Sequence, residues 1–417
     1  MTVTRRFFTM GAIAGLAAGC RAGPGRMTAA TVPDDPGLQP QSNPGYDAWV
    51  ASFRERAEAA GISRATLDAA FRGAGYLPGV VERDRNQAEF TRTTEDYLAI
   101  VASEEKVVRG RAAFAQHGAI LGEIEERFGV PPEIVAAIWG VESQFGTRRG
   151  DIPVISATST LAFDGRRGAF FESQLLATLR ILERGDTTPA RLTGSWAGAM
   201  GHTQFIPTTY QSYAVDFRGD GKRDIWSDDP TDALASAAAY LAKSGWTRGR
   251  RWGLEVVVPE GFDAALAGRG KGRAVSEWAR IGVRPAAGGN LPDHGAASIL
   301  LPAGPDGPAF MIFSNFNVLL RYNNSENYAL GVGYLSDRLA GGGPLRGRFP
   351  PDENGLTIDD RKKIQRRLTA RGYDTGGADG VIGKKSEAAI RDWQAAQGVA
   401  VTGRPSRGLL TALGGGG

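Results

Sequence analysis

The sequence predicts a mainly α-helical protein with a small β-containing insert and a separate C-terminal helical unit. Three observations predict this. Apolar residues recur at three- and four-residue spacing through most of residues 44–340. Strand-like runs are confined to a loop-rich stretch from about residue 252 to residue 313. A glycine- and proline-rich linker, residues 341–353, then sets off residues 354–415, which carry a helical pattern of their own.

The elements follow in order. Trp49, Phe53 and Ala57 mark a first helix that begins near Tyr46 and stops by Gly61 and Ser63. Thr66, Leu67 and Phe71 mark a second, and residues 103–128 hold one long helix or a pair. Pro131 and Pro132 open the next, since a first-turn residue lacks a helical partner for its N–H in any case. Gly146 suits a left-handed stop at its far end. Phe171, Leu175, Leu179 and Leu182 carry a helix over residues 170–183, and residues 232–244 carry another. Leu254-Glu255-Val256-Val257-Val258 and Ser298-Ile299-Leu300-Leu301 read as short strands of the insert. Helix returns over residues 325–339. In the last unit Thr357 with Asp359 and Asp360 caps a helix through Ile358, Ile364 and Leu368. Ala389, Ile390 and Trp393 mark a second, and Leu410 and Leu413 a third. That core is small, near the lower limit for independent stability.

Composition narrows the function. The 417 residues exceed one ordinary domain. The net charge is +4, of which Arg5 and Arg6 supply two, so little basicity is left to argue for a nucleic-acid partner. Cys20 is the single cysteine, which excludes an internal disulfide and a thiolate nucleophile or metal site in the mature fold. His117, His202 and His294 are far apart, with no zinc-binding spacing. Neither a G-x-S-x-G elbow nor a P-loop occurs. No internal apolar run approaches the roughly 20 residues that span a bilayer. A monomer is expected.

Residues 1–19 read as an export leader. Thr4-Arg5-Arg6-Phe7-Phe8 has the twin-arginine pattern, and residues 11–19 form a short apolar stretch. Leu16-Ala17-Ala18-Gly19-Cys20 is similar to a lipobox, with Ala17 where Leu is usual, so Cys20 is the expected lipidation site. Cleavage by the ordinary signal peptidase is the alternative. Arg21 is not the aspartate of inner-membrane retention, so a periplasmic protein anchored to the outer membrane is expected. Residues 20–43, rich in Pro, Gly, Ala and Ser, read as a flexible tether.

Glu142 is the foremost candidate for chemistry. Ile134, Ile138, Val141 and Phe145 form one face of the helix that starts at Pro131. Glu142 lies four residues after Ile138 and three before Phe145, on that same face. A carboxylate there is desolvated, which favours its protonated form, the state a general acid needs near neutral pH. A solvated or ion-paired glutamate is the ordinary alternative. Gly140 costs a helix interior roughly 1 kcal/mol relative to Ala. Its expected use is room for another backbone or a ligand beside the carboxylate.

Four ordered blocks lie between residues 137 and 328. They are Ala137-Ile138-Trp139-Gly140-Val141-Glu142 with Phe145-Gly146; Phe163-Asp164-Gly165-Arg166-Arg167; Gly194-Ser195-Trp196-Ala197-Gly198-Ala199-Met200-Gly201 with Gln204-Phe205-Ile206-Pro207; and Arg321-Tyr322-Asn323 with Tyr328. Through them residues 44–340 resemble the membrane-bound lytic murein transglycosylase B family, whose fold is lysozyme-like. Gly372-Tyr373, Asp379-Gly380, Gly383, Trp393-Gln394 and Thr402-Gly403 make residues 354–415 similar to the small peptidoglycan-binding domain.

The resemblance implies a peptidoglycan lyase that needs no cofactor. It implies that Glu142 protonates the glycosidic oxygen between MurNAc and GlcNAc, then accepts the proton of the sugar's own C6 hydroxyl. Ring closure leaves a 1,6-anhydro-MurNAc end. Ser195 is implied to orient Glu142, Gln204 to meet the acetamido side of the glycan, and Tyr322 and Asn323 to line the cleft. Tyr328 is implied to offer a hydroxyl and a ring face, although a buried helix tyrosine fits its pattern nearly as well. Arg166 and Arg167 suit the lactyl carboxylate or the peptide stem, with a solvated loop as the alternative. Two rival functions stay open. A hydrolytic muramidase needs a second carboxylate, for which Asp164 and Asp216 are the sequence candidates. A non-catalytic wall-binding protein needs no acid at all.

Asp216-Phe217-Arg218-Gly219-Asp220-Gly221-Lys222 begins like an EF-hand loop with Gly at its sixth position, and some relatives bind calcium at the matching place. Here Arg218 stands where an oxygen ligand belongs and could fill the hole with its own charge, and Ser227 occupies the twelfth position, with Asp228, Asp229 or Asp232 as the stand-ins for its carboxylate. Calcium is therefore not expected to bind tightly; Asp216, Asp220 and Lys222 are the weak candidates.

Overall fold

The computed structural model describes residues 35–86 and 92–414. The expected leader and Cys20 lie outside the described residues. Helices α1 (Pro44–Ala59), α2 (Arg64–Phe71), α3 (Pro78–Arg85), α4 (Thr94–Val101), α5 (Glu104–Gln116), α6 (Gly118–Phe128) and α7 (Pro132–Ser143) come first. The short strands β1 (Ile152–Pro153) and β2 (Thr193–Gly194) flank α8 (Val154–Asp164) and α9 (Gly168–Arg184) in sequence. After α10 (Pro207–Tyr213) and α11 (Thr231–Lys243) comes the insert, with β3 (Gly253–Val257), α12 (Val275–Ile281), β4 (Arg284–Pro285), β5 (Ser298–Leu300) and β6 (Ala309–Ile312). Helices α13 (Ser314–Tyr322) and α14 (Glu326–Leu339) follow, then α15 (Ile358–Thr369), α16 (Lys384–Ala396) and α17 (Arg407–Ala412). The mainly helical expectation is met. The uncertain stretch at residues 103–128 resolves into a pair, α5 and α6, parted at His117. Among the described residues no helix is long and apolar enough to cross a membrane.

The chain forms two compact units. Of the described residues, the first comprises 35–86, 109–248 and 321–324; the second comprises 92–108, 249–320 and 325–414. In the first unit α8 is buried at every position from Val154 to Ala162. Its polar side chains are there as connectors. Thr158 and Ser159 donate back to the carbonyls of Val154 and Ile155, while Ser156 and Thr160 accept the N–H groups of Gly75 and Leu77. Each of these buried hydroxyls thus has a hydrogen-bond partner, which is the condition for sinking such residues. Helices α1, α3 and α9 pack on α8. Residues 35–43, expected as the end of a flexible tether, are instead folded here. Leu38 sits in the same core as Leu77, Leu161 and Phe171, Asp35 pairs with Arg83 at 2.7 Å, and Gln41 bridges to Tyr76.

In the second unit the insert is a four-stranded antiparallel sheet in the order β4-β3-β6-β5. Leu254 of β3 and Ile299 of β5 both stand opposite Met311 of β6. The sheet shares its core with Trp278, whose Nε1–H donates to the carbonyl of Ala297 at 2.8 Å. Residues 341–353, expected as a linker, are tied down. The Glu255 carboxylate accepts the N–H groups of Arg346 and Gly347, and Gly342 donates to the carbonyl of Asp337.

Arg361 on α15 is 5% exposed. Its guanidinium reaches Glu95 at 2.6 Å and Asp96 at 2.9 Å on α4, and Asp352 at 2.9 Å. It also donates to the carbonyl of Gly380 at 2.7 Å. A buried guanidinium with this many acceptors has its desolvation offset, and it fixes the last three helices against α4.

Candidate active site

Helix α7 starts where its prolines require and ends at Ser143, three residues before Gly146. The left-handed stop begins early. Gln144 (φ 51°), Phe145 (φ 56°) and Gly146 (φ 83°) are left-handed in succession. Among the described residues Gln144, Phe145 and Gln204 are the non-glycine positions with positive φ. Each costs roughly 1–2 kcal/mol relative to its ordinary conformation. The turn is held by Gln144 N–H to Gly140 O (3.2 Å), Phe145 N–H to Trp139 O (3.3 Å) and Gly146 N–H to the Ser143 hydroxyl (3.0 Å). Phe145 thereby folds back on the helix. A Cβ added at Gly140 would lie 2.5 Å from its ring, so the space expected there for a ligand or another backbone is filled by Phe145.

The burial of α7 differs from a one-sided apolar helix. Every residue from Ile134 to Ser143 is buried except Glu142, which is half-buried. One of its carboxylate oxygens, Oε2, is itself buried. A helix enclosed on all sides is a core element. Beyond the half-buried first turn, Pro132 and Glu133, Glu142 is the position at which this one opens to solvent.

Residues 201–205 gather the site in the first unit. The Ser143 hydroxyl, next to Glu142, donates to the carbonyl of His202 at 2.6 Å. Trp139 Nε1–H donates to His202 Nδ1 at 3.0 Å. Gln204 donates its amide to the carbonyls of Arg149 and Gly201, both at 2.9 Å. The Tyr322 hydroxyl donates to the carbonyl of Thr203 at 2.6 Å, and its ring packs against Phe205 and Tyr240. Asn323 follows Tyr322 directly. Ser195 closes the adjoining hairpin, donating its N–H to Ala199 O (2.8 Å) and accepting the Ala199 N–H on its hydroxyl (3.0 Å). Met200 and Phe205 exchange backbone hydrogen bonds across that hairpin. Gln204 and Tyr322 thus meet, through residues 201–203, the segment that carries Glu142, while Ser195 lies in the hairpin just before those residues and Asn323 next to Tyr322 in the chain.

The other expected residues make contacts of their own. Arg166 and Arg167 both bind the carboxylate of Asp84, so an internal partner takes the place expected for a substrate carboxylate. Burial pushes the Asp84 carboxyl up, but the hydrogen bonds and charges of Arg166 and Arg167 outweigh it and hold the group below the usual range. Tyr328 is 1% exposed and packs as a core residue of the second unit. In the EF-hand-like loop Asp216 accepts the N–H groups of Gly219, Asp220 and Gly221, and Arg218 pairs with Glu123 at 2.6 Å. Asp224, at the ninth position, is taken up by Arg191 and by the N–H groups of Trp226 and Ser227. Among the described residues no three acidic, histidine or cysteine side chains are grouped to hold a metal. Arg218 thus puts a guanidinium in the third position and Ser227 a hydroxyl in the twelfth, where an EF-hand loop has oxygen ligands and a bidentate carboxylate.

His202, Trp139 and Arg149 were not foreseen as site residues. Trp139 was visible inside the glutamate block, and His202 inside the Gly201–Gln204 block, but nothing in their spacing showed that they meet.

Comparison with known proteins agrees with this geometry. The family model described as transglycosylase SLT domain matches residues 45–337, and a peptidoglycan binding domain model matches residues 357–413. The membrane-bound lytic murein transglycosylase B of Escherichia coli K12 is 34% identical over 243 residues, covering 57% of this chain and 64% of that protein. The match therefore spans a little under two thirds of that relative. SltB3 from Pseudomonas aeruginosa, solved in complex with NAG-NAM-pentapeptide, is 48% identical with a TM-score of 0.72, covering 89% of this chain and all of that one. The Escherichia coli lytic transglycosylase Slt35, solved in complex with calcium, is 30% identical with a TM-score of 0.60, covering 73% of this chain and 96% of that one. The family resemblance read from the four blocks is borne out, as are the lysozyme-like catalytic fold and the C-terminal wall-binding unit: the chain belongs to the SLT lytic transglycosylase family.

Proposed function

We propose that this protein cleaves the MurNAc-β-1,4-GlcNAc bond of peptidoglycan without water, with Glu142 as acid and then base. One observation carries the reading: Glu142 is the one half-open position in the buried run from Ile134 to Ser143, with one oxygen out of solvent. Held there in its protonated form, the carboxyl donates its proton to the glycosidic oxygen as the C1–O bond breaks. The carboxylate left behind accepts the proton of the C6 hydroxyl as that oxygen bonds to C1. Proton and bond count balance, and Glu142 ends uncharged. The nucleophile belongs to the substrate, so its attack is favoured over that of a free water. In this reading Ser195 helps to orient the acid, Gln204 meets the acetamido side of the glycan, and Tyr322 with Asn323 lines the cleft.

A hydrolytic muramidase is the weaker reading. Asp164 is engaged by Arg85 at 2.6 Å, and Asp216 by three N–H groups of its own loop. Both candidates for the second carboxylate thus carry structural contacts, whereas the lyase reading needs Glu142 alone. Mass spectrometry of muropeptides released from purified sacculi by the full chain decides between them. The expected products are anhydro-muropeptides, lighter by one water than the reducing-ended ones; reducing ends alone would overturn the proposal.

Relatives supply the wider setting. SltB3 was solved with NAG-NAM-pentapeptide and with NAG-anhNAM-pentapeptide, which supports stem-bearing glycan strands as the substrate here. We place the protein in the periplasm, working as a monomer, with lipid on Cys20 as its anchor. The leader residues support this reading. The mass of the mature N-terminus tests it: a diacylglyceryl thioether on Cys20 is expected, and a chain that starts beyond Cys20 would rule the anchor out.

A further inference from the structure

His202 is buried, 3% exposed, and the glycosidic chemistry gives it no task. It contacts the segment bearing Glu142 in two ways. Its Nδ1 accepts from Trp139, three residues before Glu142, and its carbonyl accepts from Ser143, one residue after. Its Nε2 lies 2.7 Å from the carbonyl of Ser227. Trp139 Nε1–H is a donor only, so Nδ1 must be bare; the Ser227 carbonyl is an acceptor only, so Nε2 must carry the hydrogen. Both bonds exist together in just one form, the neutral Nε2-protonated imidazole.

The backbone around the acid calls for such a support. Gln144, Phe145 and Gly146 are left-handed directly after Ser143, and strained turns persist when their surroundings over-determine them. His202 lies against that turn: a Cβ added at Gly146 would come within 2.5 Å of Nδ1. Gln204, also left-handed, holds the carbonyl of Arg149 just beyond it.

We propose that His202 is the positioning residue of the general acid, clamping Trp139 and Ser143 so that the Glu142 carboxyl is held in one place through turnover. The proposal rests on Glu142 being the acid. Protonating the imidazole would turn an N–H toward the N–H of Trp139 and break the clamp. Burial pushes the imidazole down to about 4; Arg149, 3.1 Å from Nε2, adds to this, while the Ser227 carbonyl, Asp228 and Asp224 oppose it. His117 stacks edge-on against Trp139 as well as His202 does. A pKa lowered in this way keeps the neutral form, and the clamp, throughout the range from about pH 5 upward.

The test joins kinetics to spectroscopy on the full chain. Histidine nitrogen NMR at pH 6 is expected to report the Nε2–H tautomer for His202, unchanged until the pH falls toward 4. Turnover of a soluble NAG–NAM tetrasaccharide is expected to drop about tenfold to a hundredfold in Trp139→Phe and His202→Phe, with KM within twofold. His202→Asn places an acceptor near the Nδ1 position and is expected to restore part of kcat. A folded Trp139→Phe or His202→Phe with wild-type kcat would overturn the proposal. So would an Nδ1–H tautomer or an imidazolium at pH 6, a result that needs no variant to fold. Activity retained by Glu142→Gln would instead defeat the assignment of the acid, leaving the tautomer as observed.

Discussion

Glu142→Gln is expected to abolish release of anhydro-muropeptides, with a fall in kcat of about 10³-fold, while binding to sacculi is unchanged. The amide has the shape of the carboxyl but gives up no proton at working pH and accepts none afterwards. General acid–base groups contribute roughly 10²–10⁴-fold, and here one group would serve both halves of the reaction. The fold should tolerate the change, since Glu142 is half-buried and the amide matches the carboxyl in size and shape. Circular dichroism and a sacculus pull-down are the controls. Undiminished turnover in this variant would refute the assignment of Glu142.

The second large effect is on stability. Arg361→Met leaves Glu95, Asp96 and Asp352 facing a buried space without their cation. Removing one partner of a buried charge cluster costs about 3–5 kcal/mol. The C-terminal helices should therefore exchange amide hydrogens faster and melt at a lower temperature than in the parent. The loss has a direction in pH. Burial raises the carboxyls of Glu95 and Asp96 above their usual range even with Arg361 present. A raised carboxyl binds its proton more tightly in the folded state, so its contribution to stability is greatest at low pH and declines as pH rises through the folded pKa. Taking Arg361 away raises these groups further. The deficit in melting temperature should thus be small near pH 4 and large at pH 7. Adding Glu95→Gln and Asp96→Asn should recover most of it. A deficit independent of pH would show that lost packing, not charge, is responsible.

Much of the site could be read from the sequence because local spacing determines it. Glu142 sits in a run whose helical period is unambiguous, and the glycines around Ser195 announce a tight hairpin. What escaped was non-local. Nothing near Arg166 and Arg167 points to Asp84, on a different helix and about 80 residues earlier. Nothing near Arg361 points to Glu95 and Asp96, which precede it by more than 260 residues. The strand β6 was missed because Ala309, Phe310, Met311 and Ile312 are all buried and show no alternation. The early end of α7 was missed for a different reason. Sequence rules look for glycine at a left-handed stop, and here Gln144 and Phe145 take that conformation under the control of neighbours far along the chain.

That uneconomical turn bears on how the protein would respond to selection for heat. Glycine at position 144 would relax the backbone without emptying a core space, as it would at Phe145, or removing the two side-chain hydrogen bonds of Gln204, and a search for hardier variants would be drawn there first. The same relaxation would let the acid wander from its aim. Robustness and speed are therefore set against each other within a few ångströms, and an organism that needs its wall cut promptly has reason to keep the awkward bends.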